Sequence, residues 1–266
     1  MTPYYRHDRI VLFHGDCREA LPHLKALYAH TMKEWLPPVD CVLTDPPYGI
    51  MKGAAFVRNG GQTVTDDSEE GWNVLVPERE WIPQALRLLR FGGYFAAFAD
   101  TRRIRETENA ICDWDTDDDH GKYMSLWRRF YLINPAPPPT PRPTFMSGVQ
   151  ECVIAWKSAS GVYKREWYGG GATPNFWIGI PATRGEHSEH PAEKPLEAMT
   201  LLMNALCRPG GLVLDPFAGS GTTLRAAQLT GRRAIGIELE ERYCELIARR
   251  LSQAVRSIPE QPVLFS

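Results

Sequence analysis

The 266-residue sequence contains no apolar run approaching the roughly 20 residues that a membrane-spanning helix needs. No signal peptide precedes the first expected strand, so neither a membrane-bound nor an exported role is expected. Its six cysteines (Cys17, Cys41, Cys112, Cys152, Cys207 and Cys244) are scattered, with no C-x-x-C pair. That spacing offers no metal-ligand cluster and no disulfide framework, and it suits a reduced, cytoplasmic compartment. A strong charge of either sign is missing as well, since the net charge is −2. A polyanionic partner is neither demanded nor excluded, but positive charge for one must be gathered on one face. No internal repeat is visible.

What is present reads as a globular protein. Hydrophobic content of 43% and charged content of 23% suit a chain that buries a proper core, as one large domain or one domain with an insertion. Ile10 to Phe13 reads as a short strand, followed by "HGDC" and a helix with Ala20, Leu21, Leu24, Leu27 and Tyr28 at helical spacing. Val39 to Leu43 reads as a buried strand, and residues 52–76, polar and glycine-rich, as a long loop. A helix around Trp81, Ala85, Leu88 and Leu89 is expected to stop at Gly92-Gly93, before a buried strand from Tyr94 to Phe98. The acidic run at 113–119 lacks the glycine and terminal glutamate of a calcium loop and reads as a solvated turn. The proline-rich stretch 133–145 lies between two strand-like runs, Leu126 to Ile133 and Glu151 to Trp156, and reads as an ordered connection. From 158 to 190 periodicity is weak. Beyond it, Met199, Leu202, Met203 and Leu206 mark a helix, "LVLD" a strand, "TTLRAAQLTG" a helix, "RRAIGIE" a strand and Tyr243 to Leu251 a last helix. Strands alternating with helices predict a parallel α/β sheet.

Two stretches carry chemistry. In "TDPPYG" (44–49) the paired prolines remove two backbone donors and stiffen the chain directly after a buried strand. They leave a rigid carboxylate on Asp45, a bare carbonyl on Pro46 and an aromatic ring on Tyr48. In "LDPFAGSGTT" (214–223) glycines sit between a strand and a helix, where a backbone-lined ligand site belongs. A nucleotide triphosphate loop would need a lysine where Thr222 follows Gly221, and a dinucleotide fingerprint would need a third glycine where Leu224 stands. Glu238 ends the next strand, where an acid can hold the ribose of a nucleoside cofactor.

Together these stretches resemble the amino-methyltransferases of DNA, which methylate exocyclic nitrogens with S-adenosylmethionine. "DPPY" is similar to their catalytic motif and "DPFAGSGTT" to their cofactor motif, with "HGDC" (14–17), "EKP" (193–195) and "GIE" (236–238) as smaller cofactor-binding elements. The order, catalytic motif first and cofactor loop last, resembles the circularly permuted β class. The resemblance implies an α/β, seven-stranded, mostly parallel, Rossmann-like methyltransferase sheet with helices on both faces, in which the strand at Ile10 neighbours the one ending at Glu238. It divides the chain into a catalytic half (1–156), a target-recognition segment (157–190) and a cofactor-binding half (191–266).

The resemblance also assigns residues. Asp45, Pro46, Pro47 and Tyr48 are the expected catalytic set. Asp45 and the Pro46 carbonyl each take an N–H of the acceptor amine, and Tyr48 offers a flat face to a base that has left the duplex. Asp16, Cys17, Asp45, Lys194, Asp215, Pro216, Phe217, Ala218, Gly219, Ser220, Gly221, Thr222 and Glu238 are the expected cofactor-binding set. Within it, Asp16 meets the adenine amine, Glu238 the ribose, and Phe217 to Thr222 with Lys194 the methionine end. Lys164, Arg165, Arg128 and Arg142 are the expected DNA contacts. They belong to two basic groups, one with Lys122 and Arg129, the other with Lys157 and Arg184 among Tyr163, Trp167, Tyr168, Asn175, Phe176 and Trp177.

Aspartate at position 45 favours adenine N6, because the family's cytosine-N4 members more often carry serine there. The alternatives are an N4-cytosine enzyme and, from another class, a non-catalytic nucleoside- or nucleic-acid-binding module. A purely regulatory DNA-binding protein would need a helix-turn-helix or zinc module, and neither is recognisable. The implied partners are double-stranded DNA, a cognate restriction endonuclease where one exists, and a second copy of the chain, since β-class relatives are often homodimers. The implied setting is the cytoplasm, in association with the nucleoid.

Overall fold

The chain is described from a computed structural model, which covers residues 2–30, 38–47, 55–57, 63–65, 79–101, 103–114, 122–137, 148–159, 165–179 and 193–253. Tyr48, most of the 52–76 stretch, the acidic run from 115, the proline-rich run from 138, Arg142, Tyr163, Lys164 and Arg184 lie outside those residues.

In chain order the elements are β1 (Tyr5–His7), β2 (Ile10–His14), α1 (Cys17–His30), β3 (Val39–Thr44), β4 (Ala55–Val57), β5 (Thr63–Thr65), α2 (Trp81–Leu88), β6 (Leu89–Ala99), α3 (Ile104–Cys112), β7 (Lys122–Ile133), β8 (Val149–Ala159), β9 (Phe176–Ile178), α4 (Leu196–Leu206), β10 (Leu212–Asp215), α5 (Thr222–Leu229), β11 (Arg233–Glu238) and α6 (Glu241–Ser252). One nine-stranded sheet runs in the order β1-β2-β11-β10-β3-β6-β8-β7-β9, and β4 and β5 pair separately. The expected seven strands are its interior; β1 and β9, of three residues each, extend its two edges. From β2 to β6 all neighbours are parallel, and β8 lies antiparallel between β6 and β7.

Burial explains the arrangement. Every residue of β3 and β10 is buried, the near-continuous pattern of a parallel strand covered on both faces. Helices α4, α5 and α6 cover one face and α1, α2 and α3 the other. As expected, β2 pairs with β11, which sets His14 opposite Glu238. The ends of β10 and β3 lie side by side, and their following helices, α5 and α2, depart to opposite faces. Such a switch point opens a crevice beyond the strand ends, where ligands of open α/β sheets bind.

Three expectations need correcting. Residues 55–57 and 63–65 form an antiparallel strand pair inside the stretch expected to be all loop. The helix beginning at Trp81 ends at Leu88, not at Gly92-Gly93, because Leu89 turns extended and opens β6. Both glycines lie within that strand. Gly92 has φ 74°, and a Cβ on Gly93 would meet the carbonyl oxygens of Arg90 and Asp40 at 2.9 Å. They accommodate the register shift between β3 and β6. Finally, the 157–190 segment, expected to be irregular, carries regular structure at 157–159, where β8 runs on to Ala159, and at β9, which joins the main sheet beside β7.

Candidate active site

Asp45 and Asp215 mark the crevice, one just past β3 and the other closing β10. They are linked through Thr44, whose hydroxyl donates to Asp215 Oδ1 at 2.6 Å. The Phe217 N–H donates to the same oxygen at 3.1 Å. Burial pushes the Asp215 carboxyl up to about 6; hydrogen bonds from Thr44, Thr223 and Phe217 oppose the rise, and nearby Asp45 adds to it. Asp215 thereby ties the strand carrying the DPPY sequence to the start of the glycine loop. Pro46 and Pro47 follow Asp45 directly and are half-buried.

The loop after Asp215 is shaped by glycine. Gly219 and Gly221 have φ 51° and 79°, left-handed values that a β-carbon disfavours. A Cβ on Gly221 would also lie 2.8 Å from the Ile247 side chain, so only glycine lets this turn close onto α6. Glu238 anchors the loop from the neighbouring strand. Its Oε2 accepts the Gly219 N–H at 2.7 Å and its Oε1 the Glu240 N–H at 2.9 Å. Burial raises this carboxyl to about 7, against those two hydrogen bonds. The Gly15 N–H donates to the Glu238 carbonyl at 2.9 Å, which brings Asp16 and Cys17 to the same end of the sheet.

Asp16 is already engaged. Its Oδ1 accepts the Arg18 N–H at 2.8 Å, and the Arg18 Nε reaches both oxygens at 3.0 Å. These bonds hold its carboxyl below the usual range. Cys17 is buried, its thiol pushed up to about 12 mainly by burial. On the other side of the crevice, Lys194 donates to Asp45 Oδ2 while its ammonium lies 5.2 Å from the centre of the Phe98 ring. Burial of Cys152 raises its thiol, with Asp45 adding to the rise and Lys194 opposing it.

The described members of the catalytic and cofactor-binding sets thus gather at one end of the sheet. Some contributors were missed in the sequence. Thr44 links the two aspartates, and Trp81 lies edge-on to Phe217 with ring centroids 5.0 Å apart. Arg250 donates to the Ser220 carbonyl at 2.8 Å and to the Glu193 carboxylate. Thr44 adjoins the DPPY sequence and could have been considered. Arg250 is one of two arginines ending an amphipathic helix, and no local signal sets it apart.

The basic residues are distributed differently from expectation. Lys157, expected at a DNA-facing surface, is buried; its ammonium donates to the Leu86 and Leu89 carbonyls at 2.8 and 2.7 Å. It caps the end of α2, where a cation meets otherwise unpaired carbonyls. Arg129 pairs with Glu108 at 2.8 Å and Glu151 at 2.9 Å. Arg165 stacks 4.0 Å over the Trp127 ring. Tyr168 and Trp177 pack against the core rather than facing outward as a free surface. Arg128 is exposed, at the rim of a cavity of about 240 Å³ lined by Trp127, Phe130, Trp167, Asn175 and Leu202. Trp127 lies three strands over from Asp45, so these arginines stand apart from the crevice.

A parallel sheet with β8 inserted antiparallel between β6 and β7, a glycine loop anchored by a strand-end glutamate and an aspartate-proline-proline turn beside it define a nucleoside-dependent methyltransferase. The comparisons specify which kind: residues 39–249 match the N6/N4 methyltransferase family, described as DNA methylase, and the chain belongs to that family. It is 26% identical to the Type II methyltransferase M2.DpnII of Streptococcus pneumoniae, over 94% of this chain and 92% of that protein. It is 25% identical to the Type II methyltransferase M2.LlaDCHI of Lactococcus lactis subsp. cremoris, again over 94% and 92%. Among solved structures, the M1.HpyAVI–SAM complex superposes with a TM-score of 0.63 at 22% identity, covering 91% of this chain and 99% of that one. The cytosine-N4-specific PvuII DNA methyltransferase gives a TM-score of 0.62 at 18% identity, covering 96% and 90%.

The family's cofactor is S-adenosylmethionine. The residues present fit it by the chemistry of their donor set. Carboxylates on Asp16 and Glu238 accept from amine and hydroxyl groups, and Lys194 supplies a cation. Between them lies the left-handed glycine turn, bare of β-carbons at Gly219 and Gly221. Among the described residues no helix is long and apolar enough to cross a membrane.

Proposed function

We propose that this chain is a site-specific DNA methyltransferase acting on adenine N6 of a flipped-out base. The observation that carries the adenine reading is aspartate at position 45, at the end of β3 and beside the cofactor loop. Bound S-adenosylmethionine supplies an electrophilic sulfonium methyl group. An adenine amine is a poor nucleophile because its lone pair is delocalised into the ring. Asp45 and the Pro46 carbonyl each accept one N–H, which favours tetrahedral nitrogen and frees that pair. Methyl transfer to that pair would leave the electrons of the cofactor's C–S bond on sulfur. Asp45 stabilises the positive charge developing on nitrogen and is the ionisable acceptor for the proton it sheds. Pro46 and Pro47 fix both acceptors in advance, so little orientation is left to be lost at reaction. Tyr48, outside the described residues, is assigned to stacking on the flipped base.

Cofactor binding is assigned to Asp16, Cys17, Lys194, the 215–222 loop and Glu238. DNA contacts are assigned to Arg128 and Arg165, with Lys164 and Arg142 outside the described residues. At a strand spacing of ~4.8 Å, Trp127 and its neighbours stand roughly 14 Å across the sheet from Asp45, a reach suited to phosphates flanking the flipped nucleotide. The functional partners are double-stranded DNA and a cognate endonuclease, the setting is the nucleoid, and a homodimer is the proposed assembly. Nucleoside mass spectrometry of DNA from a host expressing the chain tests the reading. N6-methyladenine is the expected product; N4-methylcytosine as the sole modified base would replace it with the cytosine reading.

A further inference from the structure

The proline pair fixes the backbone of Asp45 but not its side-chain torsions. We infer that Lys194 is the positioning residue that does so, and that Arg250 holds Lys194 in place by clamping its strap to the cofactor loop. This rests on the transfer mechanism above, in which the Asp45 carboxylate must meet an amine N–H at a defined angle.

Lys194 is 8% exposed, so its ammonium has left most of its water. A buried ammonium is costly unless a carboxylate or several acceptors replace that hydration. Here the replacement is Asp45, through a charge-assisted bond to Oδ2, over the Phe98 ring. Charge-assisted bonds are the stronger and more directional class. That bond narrows the torsions open to the Asp45 carboxylate and so orients the group that meets the incoming amine.

The strap is held in turn. Glu193, Lys194 and Pro195 lead into α4, whose first turn closes with Met199 N–H on the Pro195 carbonyl at 3.1 Å. From α6, Arg250 grips the Glu193 carboxylate with one guanidinium nitrogen and the Ser220 carbonyl with another, the latter at 2.8 Å. One arginine therefore joins the glycine loop to the residue preceding Lys194, making the cofactor loop, the strap and Asp45 a single linkage. If Lys194 instead served only the methionine end of the cofactor, its loss would weaken binding and spare the rate at saturation.

The test uses the full chain as wild type, Lys194→Met, Lys194→Arg and Arg250→Met. Calorimetry gives cofactor affinity, single-turnover transfer to unmethylated genomic DNA at saturating cofactor gives the rate, and carbon-13 NMR follows the Asp45 carboxyl, assigned through Asp45→Asn. Lys194→Met is expected to slow single turnover on the order of tenfold to a hundredfold, the size expected when a reacting group loses its orientation. It should also move the Asp45 signal, the rate loss persisting at saturating cofactor whatever the change in cofactor affinity, and Lys194→Arg should recover part of the rate. Weakened cofactor binding with an unchanged saturated rate overturns the inference, as does a faster rate or an unmoved Asp45 signal. If Lys194→Met does not fold, Arg250→Met, which unties the strap from the cofactor loop, is held to the same rate and NMR outcomes. A wild type that transfers no methyl group sinks the methyltransferase reading, and the NMR comparison then still decides whether Lys194 positions Asp45.

Discussion

Replacing Asp40 by alanine should lower the unfolding temperature sharply while leaving the cofactor end of the sheet intact. Asp40 lies near the start of β3, at the end of the strand opposite Asp45, with a side chain 0% exposed. Its Oδ1 accepts from Arg90 Nε at 2.5 Å and Arg208 Nε at 2.7 Å, and its Oδ2 accepts the Leu212 N–H at 2.8 Å. Arg90 continues the chain of bonds to the Tyr168 hydroxyl at 2.7 Å, which joins β6 to the 165–168 segment. Alanine strands two guanidiniums without their shared anion and leaves the opening N–H of β10 unpaired. Arg208, whose side chain is 48% exposed, can turn to water, whereas Arg90, at 23%, recovers less. Breaking a buried pair from one side costs about 3–5 kcal/mol. At about 2–4 °C per kcal/mol for a domain of this size, the fall should be roughly 6–20 °C. Asp40→Asn keeps one acceptor for Leu212 and should lose about half as much, because an unmade buried bond costs more than a neutral one. Differential scanning calorimetry of the three proteins measures this. A loss under about 1 kcal/mol for Asp40→Ala would place the pair among weak surface bridges and refute the reasoning.

Asp45→Ala should reduce methyl transfer on the order of a hundredfold or more while cofactor affinity persists, measured by turnover beside calorimetry; retention of a tenth of the activity would contradict the transition-state role. Glu238 gives a pH signature. Its carboxyl is raised from 4.5 to about 7 on folding, so the folded chain holds a proton that the unfolded chain has released. Its contribution to stability is therefore greatest below 4.5 and declines as pH rises to about 7, a slope that Glu238→Gln should remove from denaturant titrations. Ribose hydroxyls need the ionised acceptor, so cofactor affinity should weaken as pH falls below about 7 in the wild type and stay level in Glu238→Gln. Arg128→Ala should weaken DNA binding and flatten its salt dependence by about one counterion, with cofactor affinity unchanged; an unaltered salt slope would remove Arg128 from the DNA contacts.

The sequence alone determined the parallel core and the crevice. Short, mostly apolar runs at 10–13, 39–43 and 212–214, bounded by turn residues, read as strands covered on both faces, and the turns after them are written in local chemistry. The Pro46-Pro47 pair removes two backbone donors and biases Asp45 toward extended geometry, while Gly219 and Gly221 supply the left-handed bend. The adjacency of β2 and β11 was legible through motif order, although the two strands stand at opposite ends of the chain. Tertiary structure decided the fate of the charges. Lys157, Arg129 and Arg165 look alike in sequence as free cations, yet one caps α2, one bridges two glutamates and one stacks on Trp127. Asp40 and Asp45, five positions apart, became a clamp between two arginines and the partner of a buried lysine because the ends of β3 meet different side chains. Backbone geometry follows from neighbours in sequence, whereas the partner of a long charged side chain is set by whichever residue the fold brings within about 3 Å of its tip.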